Sequence, residues 1–171
     1  MTDRMTPQER SRCLAAIRGK DTKPEMVVRR YLHARGLRYR VNDRRLPGTP
    51  DIVLRKYKTA VFIDGCFWHG HEGCSHYRLP KTNTDFWRQK IAMNIARDYA
   101  NNIYLKIAGW RVIRIWECDI MAKAMREHTL QSIYRRIVGE PQIYTIPTHG
   151  AVAAEPESNS YTSSPIDEND I

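Results

Sequence analysis

The sequence predicts an α/β protein, a mixed sheet flanked by helices, in the order α-α-β-β-β-α-β-α. Three observations carry this. Thr59–Ile63 and Trp110–Trp116 are short runs rich in β-branched and aromatic residues, as buried strands are. Between them Ile91, Ile95, Tyr99, Ile103 and Ile107 recur every four residues, so a helix carries the chain from one strand to the other and packs on the sheet. Finally, 171 residues suffice for one domain with a core but not for two comfortable ones.

The elements follow in order. Thr6-Pro7-Gln8-Glu9 starts a helix: a hydroxyl N-cap, Pro at the first helical position and an acid at the third, with Leu14 and Ile17 as a weak apolar face. Thr22-Lys23-Pro24-Glu25 repeats the signal. Val27, Val28, Tyr31 and Leu32 form the stripe of that second helix, and Gly36 closes it. Leu37–Val41 reads as a strand, and Arg44–Pro50 as a loop because of its prolines and glycine. Asp51–Leu54 begins the next strand, which Lys56-Tyr57-Lys58 turns back into Thr59–Ile63, making a hairpin. Leu79–Thr84 is a linker, Asn83 or Thr84 caps the long helix, and Gly109 ends it with its isoleucine stripe facing the sheet. Trp110–Trp116 and a helix over Ile120–Val138 complete a domain spanning 1–138. From Gly139 the composition shifts to Pro, Ser, Thr, Asn and acid, so 139–171 is expected to be a disordered acidic tail.

Charge is unevenly spread. The net value is +9, yet the segment from Gly139 onward holds six acidic residues and no Lys or Arg, which leaves +15 on residues 1–138. A basic body of that size suits a polyanion, most simply nucleic acid. No stretch approaches the roughly 18 apolar residues of a membrane span. The N-terminus also lacks the apolar core of a signal peptide. The expected setting is a reducing cytoplasm away from membranes, where the four cysteines serve as thiols or metal ligands rather than disulfides.

The chemistry concentrates in thirteen residues, Asp64 to His76. Cys66, His71 and Cys74 are soft ligands within nine residues, and Cys118 lies just past the Trp110–Trp116 strand. If that strand lies beside Thr59–Ile63, both strand ends meet and a Cys3His set closes around a structural zinc with no open position. His69 or His76 could replace His71; Cys13 is left over. Asp51 opens one strand of the hairpin and Asp64 ends the next, so antiparallel pairing would set two carboxylates side by side, able to hold one Mg²⁺. His69 is the nearest group with a pKa suited to proton transfer. Glu25, third after Thr22, is explained by a capping box alone. Phe67 and Trp68 lie between ligands, and Phe86-Trp87 start the long helix. Exposed aromatics beside a basic surface can stack on bases or wedge between them, whereas Trp110 and Trp116 read as core.

With those residues in view, the sequence resembles the very-short-patch-repair (Vsr) DNA mismatch endonucleases. The matching segments are KDTKPE (Lys20–Glu25), LPGTPDIV (Leu46–Val53), VFIDGCFWHGHEGC (Val61–Cys74), TDFW (Thr84–Trp87) and GWRVIRIWEC (Gly109–Cys118), which cover roughly residues 5–120. The resemblance implies a restriction-endonuclease-like fold and a Mg²⁺-dependent nick 5′ to the thymine of a T:G mismatch, the start of repair after 5-methylcytosine deaminates. It implies Asp51 as metal-binding carboxylate, His69 as general base, and Glu25 steadying metal-bound water. Cys66, His71, Cys74 and Cys118 would hold zinc. Phe67, Trp68 and Trp87 would enter the DNA, and an N-terminal segment with Arg4, Arg10, Arg12, Arg18 and Lys20 would grip it. The chain departs from the best-studied pattern by having Ile63-Asp64 in place of Thr-His. The Ile63 backbone carbonyl can still serve as a Mg²⁺ ligand, and Asp64 offers a carboxylate in place of an imidazole. A monomer suffices for a single-strand nick, with other mismatch-repair proteins as candidate partners. The rival readings are a restriction-type nuclease acting on unmismatched DNA, a non-catalytic zinc-stapled DNA-binding module, and a zinc hydrolase, which a closed Cys3His site would deny.

Overall fold

The computed structural model describes residues 19–139, together with Thr6, Gln8, Glu9 and Arg12. Its elements are α1 (Lys23–Ala34), β1 (Arg40–Val41), β2 (Ile52–Leu54), a single 3-10 turn (Arg55–Tyr57), β3 (Thr59–Asp64), α2 (Thr84–Ile107), β4 (Arg111–Trp116), α3 (Glu117–Met121) and α4 (Lys123–Val138). At the N-terminus, Glu9 accepts the Thr6 backbone N–H at 2.8 Å and donates its own N–H to Thr6 Oγ1 at 3.2 Å, the reciprocal bonding expected of that helix start. Arg4, Arg10, Cys13 and Arg18, and the acidic segment from 140 onward, lie outside the described residues.

The four strands form one sheet in the order β1-β2-β3-β4. β2 and β3 are the expected antiparallel hairpin, with Ile52 opposite Val61, and its turn closes on Lys58 at φ 47°. β3 and β4 run parallel, Thr59 beside Arg111 through Asp64 beside Trp116, joined by the α2 crossover. Because side chains alternate along a strand, each face of the sheet has its own set. Ile52, Leu54, Val61, Ile113 and Ile115 meet Val28 and Leu32 of α1, Ile120 of α3 and Ile133 and Ile137 of α4 in the main core. The opposite face holds Ala60 and Phe62 under Leu105 of α2, with Trp110 and Val112 at the margin. By the same alternation Asp51, Asp64 and Arg114 belong to this α2 face.

Four local expectations need correction. The strand expected over Leu37–Val41 reduces to Arg40–Val41, because the helix exit consumes the rest: Leu37 N–H returns to the Leu32 carbonyl and the Tyr39 hydroxyl to the Arg29 carbonyl. The final helix is divided at Ala122, in extended backbone, where Arg126 bonds the carbonyls of Ile120 and Met121. Trp116 is half-buried against His71 rather than core.

The fourth correction concerns α2, whose isoleucine stripe does not face the sheet. Ile91 is buried, but Ile95, Tyr99 and Ile107 are 46%, 68% and 79% exposed. A strict four-residue repeat drifts about 40° per step around a helix of 3.6 residues per turn, and so it leaves the buried face. The inward series alternates steps of three and four instead: Ile91, Asn94, Asp98, Asn101 and Leu105. Its middle is polar because it lies over the cleft described next.

Candidate active site and metal centre

Past Asp64 and Trp116 the parallel strands part, and each carries a cysteine two residues on. Cys66, His71, Cys74 and Cys118 bring their ligand atoms within 4.8 Å of one another. His71 Nδ1 lies 3.5 Å from both Cys66 Sγ and Cys118 Sγ, and its ring stacks on Trp116 with centroids 4.0 Å apart. Backbone turns wind the segment into this shape: His69 N–H to the Gly65 carbonyl, His71 to Cys66, Cys74 to His71. Gly70, at φ 65°, sits where a Cβ would be 2.8 Å from Ile95 Cδ1, so the loop is pressed against α2. Glu117, at the start of α3, accepts the Cys66 N–H at 2.9 Å.

Burial pushes the Cys66 and Cys118 thiols up, while the His76 N–H on its sulfur pulls Cys74 down to about 6. Three thiols this close resist ionising together unless a cation sits among them, and the cluster could hold a metal ion. Of the histidines weighed as alternatives, His69 turns to α2 instead, and His76 is an exposed residue 3.6 Å from Cys74.

On the α2 face a cleft of about 820 Å³ opens beside this loop, lined by Asp51, Ile63, Asp64, His69, Asp98 and Arg114 among others. The hairpin register brings Asp51 to Ile63, whose N–H donates to Asp51 Oδ2 at 2.7 Å. Burial, with the charges of Glu25 and Asp64, raises the Asp51 carboxyl to about 6 against the opposing Ile63 bond and Arg29. A carboxylate so placed is short of positive charge, and its oxygens beside the Ile63 backbone suit a hard divalent cation.

Asp64 is only 4% exposed, and both its oxygens accept from Arg114, Nε to Oδ2 at 2.6 Å and Nη2 to Oδ1 at 2.7 Å. Burial opposes the charge on Arg114, but Asp64 outweighs it and raises the guanidinium's pKa. His69 Nδ1 meets Asp98 Oδ2 at 2.5 Å, and Arg114 Nη2 reaches the same oxygen at 3.3 Å. Burial alone would raise the Asp98 pKa; the His69 hydrogen bond and the nearby positive charges outweigh it and lower it.

Glu25 is buried in the capping box expected of it. It accepts the Thr22 hydroxyl at 2.8 Å, the Asp21 N–H at 3.0 Å and Arg29 Nη2 at 2.7 Å, while Arg29 Nη2 also reaches the Asp51 carbonyl at 3.4 Å. Glu25 thus borders the cleft with its oxygens engaged.

At the mouth Phe67, Trp68 and Trp87 pack edge to face with centroids 5.3–5.9 Å apart, and exposed Phe86 leans on Trp87 at 5.3 Å. Asn94 fixes this group by donating to the Trp68 carbonyl at 2.9 Å. Lys20 is exposed on the cleft wall, and Arg12 is exposed. The site residues that sequence reasoning missed are Asp98, Arg114, Asn94 and Glu117. For Asp98 a signal existed in the three-and-four spacing with Ile91 and Leu105. For Arg114 it was a charge inside the otherwise apolar run VIRIW.

A family model described as DNA mismatch endonuclease Vsr matches residues 2–76. The type II nicking enzyme V.NmeAIP of Neisseria meningitidis serogroup A is 49% identical over 137 residues, covering 80% of this chain and 97% of the relative. The type II nicking enzyme V.XorIIP of Xanthomonas oryzae pv. oryzae is 43% identical, with coverages of 78% and 97%. The DNA mismatch endonuclease Vsr of Escherichia coli K12 is 37% identical over 152 residues, covering 88% and 97%. Among the described residues no helix is long and apolar enough to cross a membrane. The mixed sheet with flanking helices is the restriction-endonuclease-like architecture expected here. On these grounds the chain belongs to the Vsr family of DNA mismatch endonucleases.

Proposed function

We propose that this protein nicks one strand of duplex DNA 5′ to the thymine of a T:G mismatch, with Mg²⁺ as cofactor, and so starts repair of deaminated 5-methylcytosine. The observation that carries the reading is one cleft holding a cation-deficient carboxylate, Asp51, and a carboxylate-backed imidazole, His69, with an aromatic cluster at its mouth. Asp51 and the Ile63 backbone carbonyl are the groups that would hold Mg²⁺. Once bound, the ion supplies activation of water and relief of charge on the phosphodiester. His69, with Nδ1 committed to Asp98, keeps Nε2 to accept the water's proton as general base. Arg29, held by Glu25, braces the Asp51 backbone from behind, and Glu25 would steady water on a bound Mg²⁺.

The Cys3His cluster takes zinc. Zinc bonds of about 2.3 Å to sulfur and 2.0 Å to nitrogen put tetrahedral ligands roughly 3.5–3.8 Å apart, in line with the His71–Cys separations. All four positions being protein ligands, this ion holds the loop and takes no part in hydrolysis. Phe67, Trp68 and Trp87 enter the duplex beside the mismatch, and Arg12, Arg18 and Lys20 contact phosphates. Residues 1–138 act as the nuclease domain, with the acidic segment beyond them outside the catalytic unit.

A second reading, a restriction-type nuclease acting on unmismatched DNA, is kept because the Neisseria and Xanthomonas relatives are named type II nicking enzymes and their names mention no mismatch. End-labelled duplexes with T:G, other mismatches or full pairing, incubated with Mg²⁺, separate the two. A nick 5′ to the mispaired thymine, lost in Asp51→Ala, is the expected result. Equal cutting of paired DNA supports the second reading, and binding without cleavage in any sequence context removes both.

A further inference from the structure

The cleft contains a charged relay that neither half of the site requires by itself. Asp64 closes β3 and Arg114 lies in β4 beside Phe62, so the two share one face of the sheet. The guanidinium grips both Asp64 oxygens and lies 5.0 Å over the Phe62 ring. A two-pronged bond of this kind is directional as well as charged. The same Nη2 that meets Asp64 Oδ1 at 2.7 Å lies 3.3 Å from Asp98 Oδ2, and that oxygen receives His69 Nδ1. The sheet edge is thereby linked to α2 through Asp64, Arg114 and Asp98, ending on the imidazole.

Asp64 and Asp51 consequently differ in kind. Asp51 carries one backbone N–H on Oδ2, and Arg29 bonds the backbone carbonyl of that residue rather than its carboxylate. A divalent cation on Asp64 would have to displace a charge-assisted bond and sit against a guanidinium of the same sign. On Asp51, by contrast, a cation displaces no guanidinium bond, since the contact on its carboxylate is the Ile63 N–H and Arg29 and Arg114 act on it only through space.

We propose that Arg114 is a positioning residue, which keeps Asp64 out of the metal's coordination and, through Asp98, holds the ring of His69 in its working orientation. This rests on the nuclease reading for its consequence but not for its test. Sequence spacing alone assigns both carboxylates to the ion; the geometry divides them. Asp64 anchors Arg114, and Asp51 is the carboxylate that receives the metal.

The test uses the full-length, zinc-loaded protein and Mn²⁺ as probe, with binding followed by electron paramagnetic resonance in the absence of DNA. Asp51→Asn is expected to weaken Mn²⁺ binding by at least about 10-fold, and Asp64→Asn to leave it within about 3-fold of the wild type. Nitrogen-15 spectra of the histidine rings give the second readout. Arg114→Gln should shift or broaden the His69 Nδ1–H signal and leave His71 and His76 in place. In single-turnover nicking, Arg114→Gln should slow the chemical step about 10- to 100-fold with duplex affinity held within about 3-fold, and Arg114→Lys, which keeps the charge but not the fork, should fall between.

An Asp64→Asn protein that loses Mn²⁺ as Asp51→Asn does overturns the proposal, as does an unmoved His69 signal in Arg114→Gln. Should Arg114→Gln not fold, Arg114→Lys and Asp64→Asn answer the same two questions. If the wild type nicks no duplex, the nuclease reading fails, while the Mn²⁺ and ring spectra still decide the role of Arg114.

Discussion

The cysteine–histidine loop and the carboxylate cleft lie side by side but obey opposite energetics. The Cys66–His76 loop gathers most of its ligands within nine residues and adds Cys118 from the neighbouring strand end. With its ion bound, every ligand gains a partner, so the site adds to stability. The cleft draws Asp51 from the start of β2, Asp64 from β3, Asp98 from α2 and Arg114 from β4. It holds Asp51 in a setting that disfavours the charged form, so without a cation it detracts from stability. One region is built to be satisfied, the other to want something.

The largest expected effect breaks the first half of that comparison. Cys118→Ala, or removal of the soft-site metal by a chelator, should cost at least about 3 kcal/mol, or roughly 10 °C in Tm, as read by thermal melting with metal analysis. A melt unchanged by the chelator would mean the loop is held by packing alone.

Asp51→Asn tests the other half, with opposite signs for activity and stability. Nicking should fall by about 1,000-fold or more, as the proposed metal-binding role of Asp51 requires. Stability without added Mg²⁺ should rise by up to about 3 kcal/mol near pH 8. The sign follows from a folded carboxyl raised to about 6, above its ordinary 3.8. The folded protein binds that proton more tightly, which favours folding below the ordinary value and ceases to do so as pH climbs through about 6. The gain from Asn should therefore vanish near pH 4. Melts at pH 4, 6 and 8 check it, and a variant less stable than wild type at pH 8 would contradict this account of Asp51.

Smaller effects sharpen the contrast. Asp98→Asn should slow nicking about 10- to 100-fold in single-turnover assays, with a smaller loss of stability above the ordinary carboxylate range, because Asp98 gains the His69 and Arg114 contacts on folding and, on the proposed reading, orients His69. On α2, Leu105→Ala should cost about 2–5 kcal/mol, whereas Ile107→Ser on the exposed face should change stability by no more than about 0.5 kcal/mol in denaturant melts. A large loss from Ile107→Ser would show that this face is covered in solution.

The same contrast explains what the sequence disclosed. The hairpin was legible because its two apolar runs are short, and the α2 crossover because strand and helix periods differ. The ligand cluster was legible because most of it is local, and Cys118 because it follows its strand by the same interval as Cys66 does. What escaped depends on orientation. The isoleucines of α2 looked like the buried stripe because a repeat of four resembles a helical face over two turns; the drift shows only over four. Asp98 was hidden because an inward-facing polar series looks like a solvated one until something lies opposite it. Arg114 was hidden in a strand whose other residues spoke for burial. Asp64 was visible as an acid at a strand end, but not as an acid already gripped by Arg114, since that pairing crosses 50 positions of chain.

The parallel register of β3 and β4 carries a further meaning for folding. Extended by two residues past Asp64 and Trp116, it sets Cys66 across from Cys118. A metal shared by those sulfurs is a cross-link over a loop of about 50 residues, which in chain-entropy terms restricts the unfolded ensemble by about 4 kcal/mol, as a disulfide of that span would. It spans the β3–β4 pairing, a non-local contact of the kind that closes slowly when a chain must search for it. Such an ion would be in effect a removable disulfide: one that a chelator cuts, that a reductant leaves intact, and that would also refuse a strand slipped by a single residue.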